Sequence, residues 1–124
     1  MVGFDIRNVS SKDYNAIIKL REGFNYSTIE SITEDKNSMI IVAQLNDDII
    51  GYISFTISSN TSSKNDVIVN EIVVEEKYRG LGVGHELTKE AYNYSEYYNA
   101  ISIIAIYNNY KEEEVGFKIK NYFY

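Results

Sequence analysis

Three glycines stand at alternate positions in Tyr78-Arg79-Gly80-Leu81-Gly82-Val83-Gly84, a few residues after the apolar run Ile72-Val73-Val74. Glycines spaced in this way leave several backbone N–H groups unobstructed, because no Cβ shields them. The apolar run reads as a strand and the residues from Gly82 onward read as a helix. A helix N-terminus directs its unpaired N–H groups and the positive end of its dipole outward. Such a strand-to-helix turn is suited to hold a phosphate or a pyrophosphate. Two common phosphate loops do not fit it. A Walker A loop requires Gly-Lys-Ser/Thr, which the chain lacks. The dinucleotide fingerprint requires glycine or alanine where His85 stands, and it follows the first strand of its fold rather than a late one.

Composition narrows the remaining chemistry. There is no cysteine, and His85 is the sole histidine, so thiolate nucleophiles are excluded and zinc or iron–sulfur centres lack ligands. No metal is expected. His85 would sit just inside the helix, on the phosphate side. Glu71 is the charged residue of the strand that feeds the loop, and alternation puts it on the face of Val73, opposite Ile72 and Val74.

The elements that must position these residues follow from periodicity. Phe4, Ile6 and Val9 suggest a first strand. Ser10-x-x-Asp13 has the pattern of a capping box, and Tyr14, Ile17, Ile18 and Leu20 continue with helical spacing to about Gly23. Ser27-x-x-Glu30 repeats the capping pattern before a second helix with Ile29 and Ile32. Met39–Leu45, the polar turn Asn46-Asp47-Asp48, and Ile49–Ile57 read as a β-hairpin, with Ile53, Phe55 and Ile57 on its buried face. The stretch Ser58–Asn65 is a polar connection to the next strand, Val67–Val74. Val83, Leu87, Ala91, Tyr94 and Tyr98 then recur with the period of a helix of about fifteen residues. Ile101–Ile106 is a strand of the doubly buried, parallel kind, and Phe117–Phe123 is a further candidate. A strand–helix–strand crossover makes Val67–Val74 and Ile101–Ile106 parallel neighbours. The fold class is therefore α/β with a mixed sheet, its antiparallel part supplied by the hairpin.

At 124 residues, with no internal linker, the chain reads as one domain, 1–124. Its apolar runs are too short to span a membrane, and the N-terminus lacks the order of a signal peptide, so a soluble, cytoplasmic protein is expected. The net charge of −6 repels phosphate backbones and argues against nucleic acid as a partner. It would concentrate cationic amines, or serve only solubility. Tyrosine is abundant, at 12 residues, but the enrichment names no ligand.

What remains at the loop is Arg79-x-x-Gly82-x-Gly84, and here the chain resembles the GNAT superfamily of acetyl-coenzyme-A-dependent N-acetyltransferases. That family carries Gln/Arg-x-x-Gly-x-Gly/Ala at the start of a long helix after its fourth strand. The resemblance covers most of the chain in element order and 67–91 in residue detail. It implies a mostly antiparallel sheet flanked by helices, with a parallel fourth and fifth strand that splay apart around the pantetheine of acetyl-coenzyme A. Arg79, Gly80, Leu81, Gly82, Val83 and Gly84 would hold the coenzyme's pyrophosphate, and the backbone of Ile72, Val73 and Val74 its pantetheine. Glu71 would take the proton of the attacking amine, unless it is only a charged residue on a solvated face or in an ion pair. No side-chain nucleophile is needed, because the amine attacks the acetyl group directly.

Further along, the family pattern is looser. Asn109 is the implied pantetheine contact. Tyr110, with Tyr107 or water as alternatives, would protonate the departing thiolate. Phe24, Tyr26 and Ile29 are candidate walls for the acceptor, or core residues. The acceptor itself would be a small-molecule amine or a peptide N-terminus. The sequence ends at Tyr124, where the family continues to a seventh strand, so that strand is expected to be missing and Phe117–Tyr124 to pair in a homodimer. The shortened C-terminal part also leaves open an acyl-coenzyme-A-binding module with little or no turnover.

Overall fold

Two opposed apolar faces organise the molecule around one sheet. The strands are β1 Asp5–Asn8, β2 Ser38–Leu45, β3 Asp48–Ser59, β4 Asn65–Val74 and β5 Ala100–Ala105, hydrogen-bonded in that spatial order. The computed structural model describes residues 3–21, 23–59, 65–97 and 100–105. β1 to β4 pair antiparallel, and β4 pairs β5 in parallel from Asn65↔Ala100 to Val69↔Ala105. The mixed sheet expected from the sequence is observed. The expected strand at Phe117–Phe123, together with Ile106 and Tyr98, lies outside the described residues.

Helix α1 (Tyr14–Leu20) and helix α2 (Tyr26–Glu34) cover one face, and helix α3 (Val83–Tyr97) covers the other. Beneath α1 and α2 the core joins Ile17 and Ile29 to Val42, Tyr52 and Val73. Beneath α3 it joins Val83, Leu87 and Ala91 to Ile53, Phe55, Ile72 and Val74. The i, i+4, i+8 stripe of α3 is thus the face it buries, as its period requires. Because both faces are covered, β3 is buried more fully than its alternation suggested: Ser54 is as buried as its apolar neighbours.

Local starts and stops depart from the sequence reading in four places. The box at Ser10 forms, with the Ser10 N–H donating to Asp13 Oδ2 at 2.8 Å, but it opens a 3-10 turn, Ser11–Asp13, before α1. α1 ends at Leu20 rather than near Gly23, which takes φ +97. Asn25, not Ser27, caps α2: its Oδ1 accepts the Thr28 N–H at 2.9 Å and the helix begins at Tyr26. Asn serves here because its side-chain oxygen reaches the orphan N–H two or three residues on. The hairpin turn is Asn46-Asp47 alone, with Asn46 at φ 55 and Asp48 already paired to Leu45.

Among the described residues, no helix is long and apolar enough to cross a membrane.

Candidate active site

The loop after β4 is built by two left-handed glycines. A 3-10 turn, Glu76–Tyr78, leads to Arg79, then Gly80 at φ +81 and Gly82 at φ +91. A Cβ on either glycine would meet nothing within 4 Å. Glycine is therefore required by the backbone conformation, and open space lies above the loop. The Gly82 carbonyl accepts the Glu86 N–H at 3.0 Å, so Gly82 caps α3. Helix geometry then gives the N–H groups of Val83 and Gly84 no intrahelical acceptor. Val83 is buried in the core while Leu81 is 51% exposed, so the loop is anchored on one side and open on the other. Arg79 ties it to the sheet, its Nε donating to the Val74 carbonyl at 3.0 Å.

The end of β4 turns backbone groups away from β3. The Glu75 N–H donates to the Ile50 carbonyl at 2.8 Å. By the alternation of an antiparallel ladder, Tyr52↔Val73 and Ser54↔Glu71 are then the hydrogen-bonded pairs, and Gly51↔Val74 and Ile53↔Ile72 the others. Val73 spends its N–H and C=O on Tyr52. Those of Ile72 and Val74 point to the β5 side, which is where Arg79 finds the Val74 carbonyl.

A bulge re-aims the strand ahead of this point. Ser54 pairs Glu71 while Phe55 pairs Val69, leaving Asn70 as the extra residue, its Nδ2 on Thr56 Oγ1 at 3.0 Å. Val67 and Val69 consequently face α3, whereas Glu71 and Val73 face α1 and α2. Bulges commonly turn a side chain in this way beside active sites. Glu71 is 8% exposed, with one carboxylate oxygen accepting from the Tyr52 hydroxyl and the other from Arg21 Nε. The Arg21 guanidinium lies over the Phe24 ring, 5.0 Å from its centroid, and Phe24 stacks on Tyr52 at 5.9 Å. Arg21, Phe24, Ile32, Ser54, Asn70 and Glu71 line a cavity of about 200 Å³. A larger cleft, about 700 Å³, runs from α1 past the β2–β3 turn to Val74 and Arg79 and carries charges of both signs.

The model of the acetyltransferase (GNAT) family matches residues 5–114. The chain belongs to the GNAT acetyltransferase family. Its fold is shared with a ribosomal-protein-alanine N-acetyltransferase from Brucella melitensis (16% identity, TM-score 0.76, covering 90% of this chain and 85% of that one). An aminoglycoside acetyltransferase from an uncultured soil metagenomic sample is similar at 13% identity and TM-score 0.71, over 86% and 78% of the two chains. A Bacillus halodurans protein described as a transcriptional regulator reaches TM-score 0.78 at 18% identity, over 94% and 93%. No curated protein sequence matches significantly.

Within this GNAT domain the residues singled out from sequence fall into three groups. Glu71, Ile72, Val73, Val74 and Arg79–Gly84 lie along one strand and the loop it feeds. Phe24 reaches the cavity beside Glu71, but Ile29 does not: it is fully buried in the core, and Ile32, one turn on, lines the cavity instead. Tyr26 is 45% exposed and packs edge-on against Tyr14, with ring centroids 5.4 Å apart. Asn109, Tyr110 and Tyr107 lie outside the described residues.

Arg21, Tyr52, Ser54 and Asn70 were not anticipated from the sequence. One signal existed: a carboxylate on a strand covered on both faces needs a cationic or hydrogen-bonding partner.

Proposed function

We propose that this GNAT domain transfers the acetyl group of acetyl-coenzyme A to a primary amine, on a small molecule or a peptide N-terminus, by direct attack within a ternary complex. The observation that carries the reading is the placement of Glu71 and the glycine loop at either end of one short stretch of β4. The residues present fit the coenzyme. Two positive-φ glycines clear the space a diphosphate needs, and the N–H groups of Val83 and Gly84 lack helical acceptors.

Acetyl-coenzyme A, when bound, supplies the activated thioester. Gly80, Gly82 and the first turn of α3 hold its diphosphate. Ile72 and Val74, whose backbone groups face away from β3, pair with the pantetheine arm, and an N–H there stabilises negative charge on the acyl oxygen. Val73 contributes packing in place of hydrogen bonds. Glu71 accepts the proton of the amine. Asn109 as a further pantetheine contact and Tyr110 as proton donor to the thiolate complete the reading, on the strength of the family resemblance. The wider setting proposed is cytoplasmic, with no nucleic-acid or membrane partner, and with 117–124 as a candidate homodimer edge.

Incubation with acetyl-coenzyme A and a panel of primary amines tests this. Thermal stabilisation by the coenzyme together with amine-dependent thiol release is the expected result. One observation favours a second reading, a coenzyme-binding module without turnover: both oxygens of Glu71 are already engaged. Stabilisation without thiol release from any amine would establish that second reading and remove the first.

A further inference from the structure

We propose that the acceptor of this acetyltransferase carries a carboxylate next to its amine, and that Arg21 is the anchor that recognises it. The inference rests on the reading of Glu71 as the base, and it names the substrate class. The cavity beside Glu71 is bounded by a matched pair of opposite charges, Arg21 from the end of α1 and Glu71 from β4. A ligand bearing only a cation would compete for Glu71 and place a second positive charge beside the guanidinium. A purely neutral amine would leave the pair closed. A zwitterion replaces both partners at once: its ammonium takes the place of the guanidinium on Glu71, and its carboxylate receives the guanidinium. No charge is left unmatched in a half-enclosed site, where an unmatched charge is costly.

The guanidinium is placed for that exchange. Its side chain is 27% exposed where that of Glu71 is 10% exposed, so it is the more accessible partner, and it lies on the face of Phe24. A planar fork stacked on a ring can turn toward a carboxylate and keep its apolar contact. The exchange also frees a base. While Arg21 Nε donates to Oε2 of Glu71, that oxygen is occupied. Once the acceptor's carboxylate draws the guanidinium aside, Oε2 takes a proton from the ammonium. The freed amine lone pair forms the N–C bond to the thioester carbonyl carbon, the C–S bond breaks, and its electron pair leaves with the thiolate. A second amine proton is released in the same turnover.

A cavity of about 200 Å³ accommodates a small molecule, and the walls Phe24 and Ile32 suit an aliphatic side chain. A free α-amino acid has this chemistry; an internal lysine or a polyamine does not.

The test compares leucine, leucinamide and isopentylamine as acceptors of the intact chain, with thiol release as the readout. The expected order places leucine above the other two by roughly 10- to 100-fold in kcat/KM, the range of a hydrogen-bonded charge. The amine of leucinamide loses its proton more readily, so intrinsic reactivity works against that order. Arg21→Gln should lower kcat/KM for leucine by a similar factor and abolish the preference, and Arg21→Lys should restore part of it. Retained stabilisation by acetyl-coenzyme A verifies that the variants fold; the wild-type comparison stands without them. Turnover of isopentylamine or leucinamide as fast as leucine overturns the inference and leaves the acetyltransferase reading intact. Absence of turnover with every amine overturns both.

Discussion

The Tyr52 hydroxyl donates to one oxygen of the Glu71 carboxylate from the neighbouring strand, two residues off the direct Ser54↔Glu71 pair. The phenol thus fixes one oxygen and leaves the other to Arg21. Removing the hydroxyl in Tyr52→Phe should keep the ring packed on Phe24 while freeing the carboxylate to turn. Stability should fall by about 1–2 kcal/mol, the cost of one buried hydrogen bond to a charged group. Amine-dependent turnover should fall more in kcat than in KM, as measured by thiol release alongside thermal melts.

Glu71→Gln keeps the shape of the side chain and its bond to Tyr52 but removes the proton acceptor. Turnover at neutral pH should drop by roughly 100-fold or more, the contribution of a positioned general base. Stabilisation by acetyl-coenzyme A should persist. Unchanged turnover would remove Glu71 from the mechanism.

Alanine at Gly80 or Gly82 separates folding from binding. Nothing lies within 4 Å of the added Cβ, so in the free protein only the positive φ is penalised, by about 1–2 kcal/mol each. The same Cβ projects into the space assigned to the diphosphate. A modest fall in melting temperature should accompany at least a tenfold loss of coenzyme affinity, measured by titration calorimetry.

Gly51 predicts the opposite pattern. A Cβ there would meet the Val73 carbonyl oxygen at 2.8 Å and Val83 Cγ1 at 3.3 Å, both fixed by the sheet and by α3. Gly51→Ala should cost about 1–3 kcal/mol by overpacking and push the start of α3 away from the sheet. Denaturant unfolding would measure the loss.

Far from the site, Arg7 clamps the buried Asp13 with two bonds, Nη1 to Oδ2 at 2.8 Å and Nη2 to Oδ1 at 2.9 Å. Burial raises the Asp13 carboxyl, but hydrogen bonds from Arg7 and Ser10 outweigh it and hold it below its ordinary 3.8. The folded state thus binds this proton less readily than the unfolded chain. The stability it contributes is complete above about pH 4, near the ordinary carboxyl value, and is lost as pH falls through the depressed folded value. Arg7→Met should cost about 2 kcal/mol at pH 7, and the gap to wild type should narrow as pH is lowered through that range.

Much of the proposed coenzyme half was legible in the residues themselves. Gly80 and Gly82 announce their backbone because only glycine adopts positive φ without penalty, and a helix period displays the buried stripe of α3 regardless of what it packs against. Alternation counted back from Val74 put Glu71 on the correct face, since no irregularity intervenes between Glu71 and Val74. The bulge at Asn70 was not legible: one extra residue in a ladder leaves no mark in a strand that carries apolar residues on both faces.

The proposed acceptor half was decided by tertiary contact. Arg21 and Glu71 are fifty residues apart, and neither spacing nor residue type joins them. What joins them is the antiparallel hairpin that brings Tyr52 beside β4, and the packing of α1 and α2 over that face. The same packing buried Ile29 and turned Ile32 to the cavity, a choice between two positions on one helix that its period cannot make. Local conformational preference therefore wrote the glycine loop into the chain, whereas charge pairing across the sheet, which depends on which face covers which, arose only on folding.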